Sequence, residues 1–162
     1  ETLKNLCKAF VGESQARNRY TYYSKIAKNE GLVQISKIFL EIADQEKQHA
    51  KQLFKHIQEL KENNESIEIP TEVGTVFGTT EENLQAAIDG EHYEHSSMYP
   101  EFAAIAKEEG YDAIAERLLS IAKAEDHHEE IYQKLLDHVQ KKTVLERSEQ
   151  VVWVCSECGY LH

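Results

Sequence analysis

Two stretches of this 162-residue chain carry the same chemistry at the same spacing. Ile42-Ala43-x-x-Glu46-x-x-His49 recurs 79 positions later as Ile121-Ala122-x-x-Glu125-x-x-His128. Residues three apart share one face of a helix, so each copy presents a carboxylate beside an imidazole. Mixed oxygen and nitrogen donors of this kind suit a transition metal. One Glu-x-x-His arises by chance in many helices; two copies at matched positions, both on an apolar stripe, make a stronger pattern.

The stripe is what turns spacing into an argument. Inward positions of the second helical run are Ile35, Ile38, Ile42, Glu46, His49, Leu53, Ile57 and Leu60, and those of the fourth are Ile114, Leu118, Ile121, Glu125, His128, Tyr132, Leu135 and Val139. Polar residues stand where the core expects hydrophobes, at the same depth in both runs. A buried, unpaired carboxylate costs several kcal/mol or neutralises itself through its pKa, so a buried set calls for a cation. A solvated helix face would have the opposite phase.

The elements that must position these groups follow from composition and periodicity. With 7 Gly and 2 Pro in 162 residues, breakers are scarce and long helices are expected. A first helix spans about Glu1 to Asn29, with Leu3, Leu6, Phe10, Glu13, Ala16, Tyr20, Tyr23 and Ala27 on its stripe, closed by Gly31. The second runs from about Val33 to Asn63. A connector of about fifteen residues with Pro70, Gly74 and Gly78 suits a crossover that leaves helices two and three parallel. The third helix opens at the capping signature Thr79-Thr80-Glu81-Glu82, carries Leu84, Ala87, Glu91, Glu94, Met98, Phe102 and Ile105, and should kink at Pro100. The fourth follows Gly110 and ends near Lys142.

The repeat is wider than the two motifs. Ile26-Ala27-Lys28-Asn29-Glu30-Gly31 matches Ile105-Ala106-Lys107-Glu108-Glu109-Gly110 at an offset of 79, whereas Gly12-Glu13 matches Gly90-Glu91 at 78. Two helical hairpins therefore read as duplicates, with one extra residue between Glu91 and Ile105 that a π-bulge would absorb. Glu94 breaks the symmetry, since its counterpart is Ala16. A Glu from each of two helices and a Glu-x-x-His from each of the other two is the ligand set of ferritin-like di-iron bundles, and Glu13, Glu91, Glu46/His49 and Glu125/His128 fill it. Two ferric ions with a bridging oxide carry about four positive charges, nearly balancing five carboxylates once Glu94 is counted.

The stretch Phe10-Val11-Gly12-Glu13-Ser14-Gln15-Ala16-Arg17-Asn18-Arg19-Tyr20-Thr21-Tyr22-Tyr23, the Glu91-x-x-Glu94 pair, both Glu-x-x-His motifs and Trp153-Val154-Cys155-x-x-Cys158-Gly159-Tyr160 together resemble the rubrerythrin family over essentially the whole chain. The resemblance implies an all-α, ferritin-like four-helix bundle over 1–142, a linker over 143–152, and over 153–162 the first half of a rubredoxin-like module in which four cysteine thiolates hold one iron. It implies two irons bridged by Glu46 and Glu125, with Glu91 and His128 on one and Glu13 on the other; the second iron would exchange Glu94 for His49 between oxidised and reduced states. Cys155 and Cys158 would ligate the third iron. A lone C-x-x-C cannot close a tetrahedral thiolate site, so the module is expected to be half present, its remainder needing roughly 20 to 30 further residues.

The function so implied is a non-haem di-iron peroxidase that reduces hydrogen peroxide to water in oxidative-stress defence, its electrons coming from rubredoxin or an NAD(P)H-linked reductase. A ferritin-like ferroxidase or iron-storage protein is the alternative, disfavoured by the linker and C-x-x-C; an oxygenase acting on an organic substrate is disfavoured by Glu94, which leaves less room for a substrate. A homodimer is expected, in which the tail serves a neighbouring subunit. The net charge of −11 disfavours nucleic acid, no apolar run approaches a membrane span, and no signal-peptide pattern opens the chain, so a cytoplasmic protein is expected. Cys7 reads as a small buried hydrophobe. His56, His92, His95, His127 and His138 read as surface or flanking residues. Tyr20, two turns beyond Glu13, and Tyr99, near Glu94, are candidates for supporting the catalytic groups Glu94 and His49, with ordinary aromatic core as the competing role.

Overall fold

The computed structural model describes residues 1–146, 149–155 and 158–162. Residues 147 and 148 of the expected linker, and 156 and 157 between the tail cysteines, lie outside the described residues. The chain forms α1 (Thr2–Asn29), α2 (Val33–Leu60), α3 (Thr80–Tyr93), α4 (Tyr99–Glu108) and α5 (Asp112–Gln140). A π-helical turn, Glu94–Met98, joins α3 to α4 and makes them one bundle helix. This is where the offset between the repeats changes by one residue, and the turn takes up the extra residue. Pro100 falls in the first turn of α4, directly after it, where a missing N–H is tolerated.

The helix ends repeat the sequence symmetry. Gly31 and Gly110 adopt φ of +82° and +86°, and Leu32 and Tyr111 each donate a backbone N–H back to Ala27 and Ala106 at 2.8 Å. A left-handed residue closing a helix in this way favours glycine. Beside each glycine stands a glutamate that caps the other hairpin. Glu30 accepts from the Thr80 N–H at 3.2 Å, and Glu109 accepts from the Thr2 N–H at 2.9 Å and from the terminal amine at 2.7 Å. Acidic groups at helix N-termini meet both the orphan N–H groups and the helix dipole. Thr79 and Glu82 form the expected reciprocal capping box of α3.

The crossover direction follows from its partners. Ile67 and Ile69 pack against the cluster that holds Leu6, Leu53 and Ile57, then Glu72 accepts from Gln15, Gly74 passes Arg19, the Tyr23 hydroxyl donates to the Val76 carbonyl at 2.8 Å, and Thr80 reaches Glu30. The segment thus runs back along α1 from its first turns to its last, so α3 starts at the end where α2 started. Helices two and three are parallel, as the connector length implied. Two apolar clusters fill the bundle, one mainly aliphatic around Leu6, Leu53, Ile57 and Leu118, the other aromatic around Tyr20, Tyr23, Phe39 and Tyr132. Buried carboxylates divide them.

Residues 149–155 and 158–162 carry a short antiparallel pairing. Trp153 and His162 exchange backbone hydrogen bonds at 2.8 Å, and Cys155 N–H donates to the Tyr160 carbonyl at 2.8 Å. Cys155 and Cys158 are exposed, and Cys7 is buried. No described helix is long and apolar enough to cross a membrane.

Replacing Tyr23 by Phe keeps the buried ring and removes the pin on the crossover. The loss is about 1 kcal/mol, which corresponds to a melting temperature lower by roughly 2–4 °C. Limited proteolysis should then cut within 61–79 faster than in the parent protein; equal cutting and equal melting would show that this bond does not hold the segment.

Candidate metal centre

Four helices each bring one face to the polar layer, because three- and four-residue spacing keeps the chosen positions on the stripe. Glu13, Glu46, Glu91, Glu125 and His128 are buried, and His49 is half-buried. Their donor atoms gather at two foci. At the first, His49 Nδ1 lies 2.9 Å from Glu125 Oε1, 3.1 Å from Glu46 Oε2 and 3.8 Å from Glu13 Oε2. At the second, His128 Nδ1 lies 2.8 Å from Glu125 Oε2, 3.0 Å from Glu46 Oε1 and 3.5 Å from Glu91 Oε2. Glu46 and Glu125 belong to both foci, each giving one oxygen to each.

The donors fit a pair of cations better than they fit one another. Glu13 Oε2, Glu46 Oε1, Glu91 Oε2, both Glu125 oxygens and His128 Nδ1 are buried without a hydrogen bond of acceptable direction, although each of these oxygens lies 2.8–3.8 Å from the Nδ1 of His49 or His128. Distances that short with misdirected hydrogens are what ligands around a common centre produce. Oxygen and imidazole nitrogen donors in this number suit Fe or Mn class ions.

The outer atoms of these ligands are held from across the bundle. Tyr20 donates to Glu91 Oε1 at 2.5 Å, and Tyr99 donates to Glu13 Oε1. Neither tyrosine bonds a carboxylate on its own helix, so each ties one hairpin to the other. His128 Nε2 lies 2.7 Å from Gln45 Oε1, which favours the proton on that nitrogen and leaves Nδ1 facing the focus. Gln45 carried no sequence signal, since it is exposed and 83 positions from its partner. Tyr132, read only as a stripe position, buries a hydroxyl with no hydrogen-bond partner. Glu94, in the π-turn, joins neither focus and sits partly buried over α1, where a Cβ on Gly12 would lie 3.9 Å from its Oε1. His49 is the more accessible imidazole, 16% exposed against 2% for His128, so the first focus is the one open toward solvent.

Without a cation, protons do the neutralising. Burial and the neighbouring carboxylates hold Glu13 and Glu94 well above the usual carboxylate range, and burial pushes Glu91 up to about 8. Burial alone would raise Glu46 and lower the imidazoles. For Glu46 the two histidines outweigh it and bring the carboxyl down to about 2. For His128 the surrounding glutamates outweigh it and push the ring up to about 12, and His49 moves in the same direction. Tyr20 and Tyr99 are pushed upward by burial and by the adjacent carboxylates, so both hydroxyls remain donors.

A family model described as "Rubrerythrin" matches residues 4–136. The chain is 53% identical over 167 residues to a putative rubrerythrin of Methanocaldococcus jannaschii, covering 100% of this chain and 82% of that one. It is 45% identical to a rubrerythrin of Nitratidesulfovibrio vulgaris, covering 99% and 82%. Among solved structures, mixed-valent nigerythrin superposes with a TM-score of 0.77 at 29% identity, covering 100% of this chain and 76% of the other.

The titration pattern predicts opposite pH dependences for empty and loaded protein. Glu13, Glu91 and Glu94 bind protons more tightly folded than unfolded, so their stabilisation is complete below the ordinary value and drains away as pH rises through the folded one, about 8 for Glu91. The raised imidazoles act in the same direction; Glu46 contributes above its ordinary value and is lost only toward about pH 2. Metal-free protein should therefore melt several degrees lower at about pH 9 than at about pH 5, whereas metal-loaded protein should not, because loading displaces those protons. Parallel pH profiles for the two forms would contradict a buried, proton-compensated site.

Proposed function

The chain belongs to the rubrerythrin family, and from that premise we propose that it is a non-haem di-iron peroxidase of oxidative-stress defence, reducing hydrogen peroxide to two waters with two electrons and two protons. The observation that carries this reading is the sharing of Glu46 and Glu125 between two foci, one oxygen to each. Glu13, Glu46, His49, Glu91, Glu125 and His128 would hold a pair of ferrous ions there, which would supply the two electrons and Lewis acidity toward the O–O bond. Glu13 with His49 and Glu91 with His128 complete the two ligand sets. Glu46 and Glu125 fix the separation between them.

The remaining residues prepare the environment. The aliphatic and aromatic clusters close off the ends of the polar layer and exclude water from the buried focus. Tyr20 and Tyr99 are positioning residues that fix the orientation of Glu91 and Glu13. Glu94 is the reserve carboxylate: it stands on a turn whose extra residue gives the backbone slack, beside the accessible first focus, and would exchange there with His49 as the charge of a bound metal pair changed.

Electron supply belongs to the tail. The proposed division is a bundle over 1–142, a linker over 143–152 and a cysteine segment over 153–162, in which Cys155 and Cys158 give two of the four thiolates that an iron site of the rubredoxin kind requires. Rubredoxin or an NAD(P)H-linked reductase would feed that site, and in a homodimer the tail of one subunit would serve the bundle of the other. Sedimentation distinguishes this dimer from the large shell that an iron-storage protein would form.

Chemically reduced, iron-loaded protein should be oxidised in a single turnover by one equivalent of peroxide, with or without a complete four-cysteine site. Loss of that reaction when Cys155 and Cys158 are replaced by Ser would move the chemistry to the thiolates. Glu46→Ala should retain fewer than two irons per chain; full retention would overturn the bridging assignment. His49→Ala should weaken ferrous binding more than ferric and Glu94→Ala the reverse, by about 10–100-fold each. Equal effects on both oxidation states would remove the exchange from the mechanism.

A further inference from the structure

One residue further round the two helices that carry Glu91 and Glu125, a second set of donors meets across the same seam. His92 closes the last turn of α3 and His95 lies in the π-turn; Asp126 and Glu129 face them from α5. His92 Nδ1 stands 3.1 Å and His95 Nε2 2.5 Å from the same atom, Glu129 Oε2, and His95 Nε2 is 3.8 Å from Asp126 Oδ1. The donor atoms of His92, His95 and Glu129 all lie within 4.8 Å of one another, and the two imidazoles stand edge to face with planes 89° apart. Peroxide reduction at the buried foci uses none of these four side chains.

We propose that His92, His95 and Glu129, with Asp126 as the fourth donor, form a surface site for a single divalent transition ion of the zinc class, separate from the buried pair. Two imidazoles and one or two carboxylates are a ligand set such ions accept, and two carboxylates neutralise one divalent charge. A plain histidine–carboxylate hydrogen bond would account for one imidazole. It does not account for two rings, set nearly perpendicular, both aimed at one oxygen while a further carboxylate stands behind. The dimensions also suit an ion. Donors about 2.1 Å from a tetrahedral centre lie roughly 3.4 Å apart, so the His92 contact already fits and the His95 contact opens by under about 1 Å through rotation of the Glu129 side chain.

Partial burial fixes the inner half of the site, since the His95 and Glu129 side chains are 19% and 25% exposed, while His92 at 61% leaves an open approach from solvent. The bound ion links the π-turn to α5 by bonds that neither helix makes alone. Because Glu94 lies between His92, at the end of α3, and His95, on that turn, the ion also stiffens the backbone that carries it.

Cobalt(II) is the probe, since its visible absorption reports coordination number. Full-length protein carrying its core metal is titrated with cobalt(II) by equilibrium dialysis and absorption, alongside His92→Ala/His95→Ala and, separately, Glu129→Gln. Wild-type protein should take up one more cobalt per chain than the double variant, with an intense tetrahedral or five-coordinate spectrum that zinc(II) abolishes, and Glu129→Gln should weaken that equivalent by at least about 10-fold. Core metal content and the helical circular dichroism should be unchanged in all three proteins. Identical stoichiometry and affinity in wild type and both variants would overturn the site, as would an extra equivalent that survives in the double variant.

Discussion

Five carboxylates and two imidazoles sharing a water-poor layer between two apolar clusters is the constraint on which the rest of this bundle depends. No arrangement of apolar side chains around them relieves their mutual repulsion. Either protons or metal ions must enter, and the folded state selects donors that accept either. Glu13, Glu91 and Glu94 hold protons where an exposed glutamate would not, while Glu46 stays ionised because two imidazolium rings flank it. The same side chains that would make the empty protein a proton sponge make it a di-metal receptor.

Much of this was legible in the sequence, and the reason is periodicity. Helices of some twenty-eight residues hold a stripe long enough that a polar pair inside it stands out, and duplication printed the pair twice. The misfit of one residue between the repeats marked the π-turn in advance. What periodicity cannot carry is contact between helices. Tyr20 lies on the stripe of Glu13 yet bonds Glu91, and Tyr99 lies near Glu94 yet bonds Glu13. Gln45 has no periodic signature at all. The stripe itself also drifts, because steps of three and four only approximate the helical repeat: by the end of α5 the buried residue is Leu136, and Leu135 is half-exposed. His92 and His95 look like flanking residues in the sequence because their stripe belongs to the surface; their partner across the seam, Glu129, is 34 positions beyond His95.

The departure from symmetry is as informative as the symmetry. Ala16 stands in one hairpin where Glu94 stands in the other, and the hairpin with the added carboxylate is the one with the added backbone residue. An α-helix fixes the direction of each side chain; a π-turn loosens that rule over one turn. Placing the seventh donor, Glu94, there separates the six that gather at the two foci, held by tyrosines and by Gln45, from one that stands outside both.

Glu30 caps the third bundle helix, and Glu109 caps the first. Each hairpin thus supplies an N-terminal acceptor to the other, in addition to the capping box that α3 makes for itself, just as each supplies the tyrosine that holds the other's glutamate. Such reciprocity is the mark of a two-fold interface, the kind that two identical hairpins would make on meeting in solution. The crossover over 61–79 tethers the two hairpins, so their meeting is a first-order step at high effective concentration and not a second-order one. Because one chain carries both hairpins, the halves need not be identical: an aromatic cluster lies at one end, an aliphatic one at the other, and the added carboxylate, Glu94, on one side only.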